Sequence, residues 1–210
     1  YYASVVREKQ PGQAKKLRDL YLQAGESLIL EGRHDDLVSY LSLAATEFDR
    51  ICKDEEHPKV CVVGEIFLKF NPFAQKNVTD WLIEQGVEIV PPLLLDFFMQ
   101  SFVNRRVEQQ THLRHKAITG FIYGLAYKRI RKLIDKVNRA GASLRYFTPF
   151  GDIANHIVSK GIEKRIKQFF PEMNILSLDF DSGVSDVNVT NRLLLFIDNL
   201  KEKYKEQTTA

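Results

Sequence analysis

Two stretches of this chain place anion- or cation-binding residue types where a strand would hand over to a helix. The first, Gly64-Glu-Ile-Phe-Leu-Lys-Phe-Asn-Pro-Phe-Ala-Gln-Lys-Asn77, follows the apolar run Lys59-Val-Cys-Val-Val-Gly64. Glycine permits a sharp turn, Lys69 and Lys76 supply cations, and N–H groups opening a helix near Asn77 can donate to a phosphate. The loop is longer than the roughly two to six residues of an ordinary strand-to-helix connection, and long loops there usually bind something. The alternative is that Phe67, Phe70 and Phe73 only cover the end of a sheet. The second stretch, Asp179-Phe-Asp-Ser-Gly-Val-Ser-Asp-Val-Asn188, also ends an apolar run. Asp179 and Asp181 can accept hydrogen bonds from a sugar hydroxyl or hold a cation, whereas Ser185, Asp186 and Asn188 are equally ordinary helix caps. Arg192, one turn into the following helix, is placed to reach either loop or the carboxylate of a partner.

Other signals carry less chemistry. His112 and His115 share a helix face without a Cys or acidic ligand beside them, which suits solvated helix-end histidines better than a metal site. Gly120 and Gly124 allow close helix approach, which in a soluble protein is packing. Lys128, Arg129, Arg131, Lys132, Lys136 and Arg139 read as a solvated helix face, with an acidic partner or nucleic acid as the minority reading. Cys61, inside an apolar run, reads as a core thiol and a poor iron ligand. No GxSxG, Walker, GxGxxG or HExxH pattern is present.

The elements that would position these residues follow from periodicity. Leu17, Leu20, Ala24 and Leu28 recur at helical spacing over residues 11–31, with Pro11 in the opening turn and Gly32 at the end. Leu37, Leu41, Ala44, Phe48 and Ile51 mark a second helix, so residues 1–57 are expected to form an antiparallel helical pair. Residues 59–64 predict a buried parallel strand, residues 77–85 a helix capped by Asn77 and stopped by Gly86, and residues 87–90 a second strand. This is a βαβ unit, with any ligand crevice beyond the carboxyl ends of its strands. Helices are expected over 93–104, 113–137, 157–169 and 189–205. Residues 145–155 should be irregular, 174–179 a further strand, and 181–183 a turn.

Composition bounds the function. With 210 residues, of which 44% are hydrophobic, the chain can bury a real core. The net charge of +3 is near balance and specifies no nucleic-acid partner. No run reaches the roughly 18 apolar residues of a membrane span, and no secretion signal opens the chain, so cytoplasmic residence without membrane contact is expected. Cys52 and Cys61 have neither a CxxC spacing nor the density of a disulfide scaffold. The start at Tyr1-Tyr2, without an initiator Met, is what an excised domain, or a chain lacking its true start, would show.

Four motifs then stand together: Val63-Gly-Glu-Ile-Phe-Leu-Lys-Phe-Asn-Pro-Phe-Ala-Gln-Lys-Asn77, Trp81-Leu-Ile-Glu-Gln-Gly86, Asn155-His-Ile-Val-Ser-Lys-Gly161, and Leu178-Asp-Phe-Asp-Ser-Gly183 running on to Asn188, Asn191 and Arg192. In this order, over roughly residues 58–200, the chain resembles the 2-hydroxyglutaryl-CoA dehydratase D-component family. It is most similar to the dehydratase-like region of CoA-substrate-specific enzyme activases. The resemblance implies a Rossmann- or flavodoxin-like α/β fold in an oxygen-sensitive, anaerobic system. There an ATP-hydrolysing activase passes an electron to dehydratase subunits that hold a 4Fe-4S iron-sulfur cluster on cysteines. The family motif usually reads Pro-Phe-Gly-Cys, but this chain has Pro149-Phe-Gly-Asp152. Either the cluster site is lost, or the chain joins two stretches across a segment omitted between Ala142 and His156; the second is the expectation.

The combined reading is an α/β fold with a mainly parallel sheet flanked by helices, over residues 58–205. It follows the helical pair of residues 1–57 and precedes a polar tail, 206–210. The working crevice would be built from Gly64, Glu65, Lys69, Asn71, Asn77, Asn155, His156, Asp179, Asp181, Ser185, Asn188 and Arg192. Its role would be a scaffold or electron-transfer-associated domain that is not catalytic alone and holds no cofactor in this fragment, the cluster belonging to the complete protein. Its partners would be an ATP-hydrolysing activase domain or dehydratase subunits, with CoA-like phosphates docking in the crevice. The alternative is a cofactor-free interaction module.

Overall fold

In the computed structural model, residues 1–64, 66–91, 119–146, 166–171, 173–178 and 186–209 are described. The chain divides into two units, Tyr1–Glu55 with Val90–Asn155, and Glu56–Ile89 with His156–Ala210.

The first unit contains α1 (Tyr2–Val5), α2 (Gln13–Leu30), α3 (Leu37–Arg50) and, much later in sequence, α6 (Thr119–Gly141). The start of α2 is set by Gly12 and Glu8 rather than by Pro11. Gly12 takes the N-cap with φ 85°, in the left-handed region that favours glycine. The Glu8 carboxylate accepts the N–H groups of Gly12 at 2.6 Å and Ala14 at 2.7 Å, satisfying helix donors and matching the helix dipole. From the start of α3, the Tyr40 hydroxyl donates to the carbonyl of Tyr21, midway along α2, at 2.6 Å, and the two rings lie 5.1 Å apart. The side chain that Gly25 lacks would meet the Tyr40 ring. Ala14, near the start of α2, shares a buried cluster with Ala45 and Phe48, near the end of α3. The two helices are therefore antiparallel, as their stripes predict. The inward stripe of α2 differs from the expected one: Ala14, Leu17, Tyr21 and Leu28 face inward, while Leu20 is exposed. Tyr40 fixes that rotation by packing at Gly25.

Helix α6 packs on α3, and its partly buried residues Ile130, Ile134, Val137 and the buried Ala140 line one side. Beyond it, Leu144 enters the core of Ala14, Ala45 and Phe48. A buried cation joins the separate segments of this unit. Arg7 is 1% exposed. Its Nε donates to the Glu55 carbonyl at 2.7 Å, its Nη1 to the Ala3 carbonyl, and its guanidinium lies 4.0 Å from the centre of the Tyr146 ring. Around it, Glu8 and Cys52 form an antiparallel bridge, and the Lys53 N–H donates to the Arg7 carbonyl at 2.8 Å. The Tyr146 hydroxyl donates to Asp54 at 2.8 Å, while Arg145 pairs with Asp54 at 2.7 Å and gives its backbone N–H to Asp49 at 2.8 Å. The Tyr146 hydrogen bond, followed by Arg145, holds the Asp54 carboxyl below the usual aspartate range.

The second unit holds the local βαβ expectation: β1 (Lys59–Cys61), α4 (Ile66–Phe70), α5 (Val78–Glu84) and β2 (Glu88–Val90), of which β2 ends at the boundary between the units. The strands are parallel and adjacent, with the Glu88 N–H on the Pro58 carbonyl at 2.9 Å. The Rossmann- or flavodoxin-like sheet flanked by helices is not what forms. The described residues are mostly helical and hold one sheet of two short strands. The strand expected at 174–179 is absent from residues 173–178, which carry no regular structure. Two of their groups meet side chains of α7 (Asp186–Thr209): Lys203 donates to the Asn174 side chain at 3.3 Å and Arg192 to the Ser177 carbonyl at 2.7 Å. An Asn-Ile-Leu-Ser-Leu run has strand composition, but tertiary partners decide whether its backbone joins a ladder. Val189, Leu193 and Ile197 form the buried stripe of α7, and the helix continues to Thr209 through most of the expected polar tail. Residues 166–169 are helical and stop before Pro171, as predicted. The expected helix at 93–104, the turn at 181–183, and the Asp152 and His112 regions lie outside the described residues.

Gly25→Ala is expected to stabilise the protein. The added Cβ would sit 3.5 Å from the Tyr40 ring, an ordinary contact, and alanine is favoured over glycine inside a helix by roughly 0.5–1 kcal/mol. A lowered urea midpoint would contradict this. Arg7→Leu is expected to cost about 3 kcal/mol in the same assay, since two carbonyls lose a charged donor and Tyr146 its cation. An unchanged midpoint would show that Arg7 does not join these segments.

Candidate functional site

The segment from Gly64 to Asn77 is built rather than loose. Gly64 turns the chain with φ 147°, after which α4 replaces the irregular loop that composition suggested. Asn71 organises the turn beyond α4. Its Oδ1 accepts the N–H groups of Phe73 at 3.0 Å and Ala74 at 3.3 Å, its own N–H donates to the Phe67 carbonyl at 3.1 Å, and its carbonyl accepts from Gln75 at 3.2 Å. This side chain mimics a backbone turn, which Asn does better than most residues. The buried Gln75 then accepts the Thr79 hydroxyl at 2.6 Å, tying the turn to α5.

Asn77 stands at the N-cap of α5, but its side chain makes no capping hydrogen bond, and both Lys76 and Asn77 are left-handed, with φ 53° and 55°. The capping role expected of Asn77 is thus not performed. The backbone instead closes through the Asn77 N–H on the Pro72 carbonyl at 2.8 Å. With only seven residues in α5, the expected phosphate cradle at its start has little helix behind it.

The same turns leave aromatic side chains outside. Phe67 is 62% exposed, Phe70 41% and Phe73 89%. They do not cover a sheet end, the alternative that the sequence offered. Lys69 lies 4.8 Å from the centre of the Phe70 ring, and its charge is near enough to Cys61 to oppose slightly the rise of that thiol's pKa. Burial is the larger effect and pushes the Cys61 thiol up, away from the thiolate that a metal ligand needs. Cys61 is half-buried at the end of β1 and is not among the buried core residues that the sequence reading expects it to join.

Among the other sequence-derived site residues, Asn188 is exposed in the first turn of α7, and Arg192 is held by the Ser177 carbonyl. Glu65, Asn155, His156, Asp179, Asp181 and Ser185 lie outside the described residues. Sequence reasoning missed the role of Asn71 as turn builder and of Gln75 as its anchor. An Asn before Pro72 is the signal that could have found the turn. Among the described residues, no group of three or more His, Cys, Asp or Glu side chains could hold a metal ion, and no helix is long and apolar enough to cross a membrane. No family model, curated protein or solved structure matches the chain.

Asn71→Ala is expected to lower stability by about 1 kcal/mol and to speed amide exchange at Phe73 and Ala74, whereas Asn71→Asp keeps the acceptor and stays near wild type. Equal exchange in all three proteins would mean that the side chain does not hold the turn.

Proposed function

We propose that this chain is a scaffold domain of an activase-type protein in a 2-hydroxyacyl-CoA dehydratase system, residing in the cytoplasm. It would hold an ATP-hydrolysing activase domain or a dehydratase subunit through the segment of residues 64–77 and perform no chemistry alone. The observation that carries this reading is the exposure of Phe67 and Phe70 on α4 and of Phe73 on the hydrogen-bonded turn that follows it. Exposed aromatics on a fixed backbone lose little entropy when covered, and such residues commonly anchor protein contacts. The motif containing them is also the most specific part of the resemblance. Lys69 and Lys76 supply positive charge beside the aromatics, so CoA-like phosphates remain a candidate ligand of the same surface. Electron transfer would belong to the complete protein and its iron-sulfur cluster. The second reading, a cofactor-free interaction module, is favoured by Asp152 standing where the family motif has cysteine.

The test is binding of the full chain to an ATP-hydrolysing activase domain by titration calorimetry, comparing wild type with Phe67→Ser/Phe73→Ser. A loss of at least about tenfold with an unchanged melting temperature is expected, the size of a modest aromatic anchor. Equal affinity of the two proteins, or no binding by wild type, rejects this surface and this partner. In parallel, iron and sulfide bound after anaerobic reconstitution would exclude the cofactor-free reading.

A further inference from the structure

Helix α6 carries six Lys or Arg residues and one acidic residue, Asp135, in its 23 positions. Arg131 is engaged within the helix, its Nη1 donating to the Tyr127 hydroxyl at 3.3 Å. The other five, Lys128, Arg129, Lys132, Lys136 and Arg139, are exposed, and among the described residues no carboxylate pairs with them. Their spacing is ordered. Lys128, Lys132 and Lys136 recur every four residues and form one row, about 6 Å per step at 1.5 Å rise per residue. Beside it runs a second row, Leu125, Arg129 and Leu133, in which the leucines are 50% and 51% exposed.

Two half-exposed leucines with a row of lysines along one side form an apolar edge with a basic border, the other side being the stripe packed on α3. That pattern fits a protein surface with apolar side chains flanked by carboxylates, as in helix pairing where flanking charges choose the partner. We infer that this face of α6 docks an acidic amphipathic protein helix, with Leu125 and Leu133 covered by its apolar side chains and Lys128, Lys132 and Lys136 paired with its carboxylates. The inference is independent of the surface assigned to residues 64–77.

Charge complementarity selects an anionic partner, and the leucines choose among anionic partners. Nucleic acid is held through its phosphates by Lys and Arg and gains nothing from aliphatic carbon at that position, and the near-balanced net charge gives no long-range attraction to it. A membrane-surface helix inserts its own apolar stripe, but the stripe of α6 is taken up where the helix packs on α3.

The test uses the full chain and four probes of matched negative charge: a helical peptide of Leu and Glu in heptad order, polyglutamate, a single-stranded oligonucleotide, and phosphatidylserine vesicles. The Leu/Glu peptide is expected to bind at least about tenfold more tightly than the other three, since apolar burial adds to the charge pairing. Lys128→Glu/Lys132→Glu/Lys136→Glu and, separately, Leu125→Ser/Leu133→Ser should each weaken that binding about tenfold or more, with helix content unchanged by circular dichroism. Because all five side chains are exposed, the variants should fold. Polyglutamate, oligonucleotide or vesicles binding as tightly as the peptide would overturn the inference, as would binding indifferent to either set of substitutions. Failure to bind any probe overturns it too.

Discussion

A guanidinium withdrawn from water at Arg7 ties together separated segments of the helical unit. A buried cation needs partners, and here Nε and Nη1 donate to main-chain carbonyls of Glu55 and Ala3 while the guanidinium lies over the face of Tyr146. Those partners come from three separate stretches of sequence. Holding them at one point places Glu8 to cap α2, aligns Cys52 with Glu8, and brings the chain after α6 back to Asp49 and Asp54. The apolar core of Ala14, Ala45, Phe48 and Leu144 supplies most of the burial, while Arg7 specifies which segments share it.

Much of this unit was legible from residue order. Helices α2, α3 and α6 announce themselves by apolar spacing, because a stripe repeating every 3.6 residues has few other ways to be buried. The rotation of α2 was not legible, since it depends on Tyr40 meeting Gly25, a contact between residues fifteen apart whose geometry no local pattern encodes. The Arg7 cluster was invisible for the same reason: its partners are carbonyls, and every residue has one.

In the second unit, the parallel pair of strands and the helix between them followed from glycine, proline and β-branched residues near their ends. Among the described residues that pair does not extend into a larger sheet, and a short apolar run such as residues 174–178 fits a strand or a loop equally well. Here residues 173–178 carry no regular structure, and Arg192 of α7 donates to the Ser177 carbonyl while Lys203 donates to the Asn174 side chain. The turn within residues 64–77 was legible from its Gly, Asn and Pro, but the partners that hold it were not. The Asn77 side chain makes no cap on α5, and Phe67 and Phe70 on α4 and Phe73 on the turn held by Asn71 are exposed rather than covering the sheet.

Whether residues 64–77 form a preorganised docking surface is most directly tested by amide hydrogen exchange of the full chain alone and with an ATP-hydrolysing activase domain. Amides of Phe73, Ala74 and Gln75 are expected to exchange slowly already in the free chain and to slow further in the complex. Rapid exchange there in the free chain, or a complex that leaves these amides unchanged, would contradict a preorganised surface.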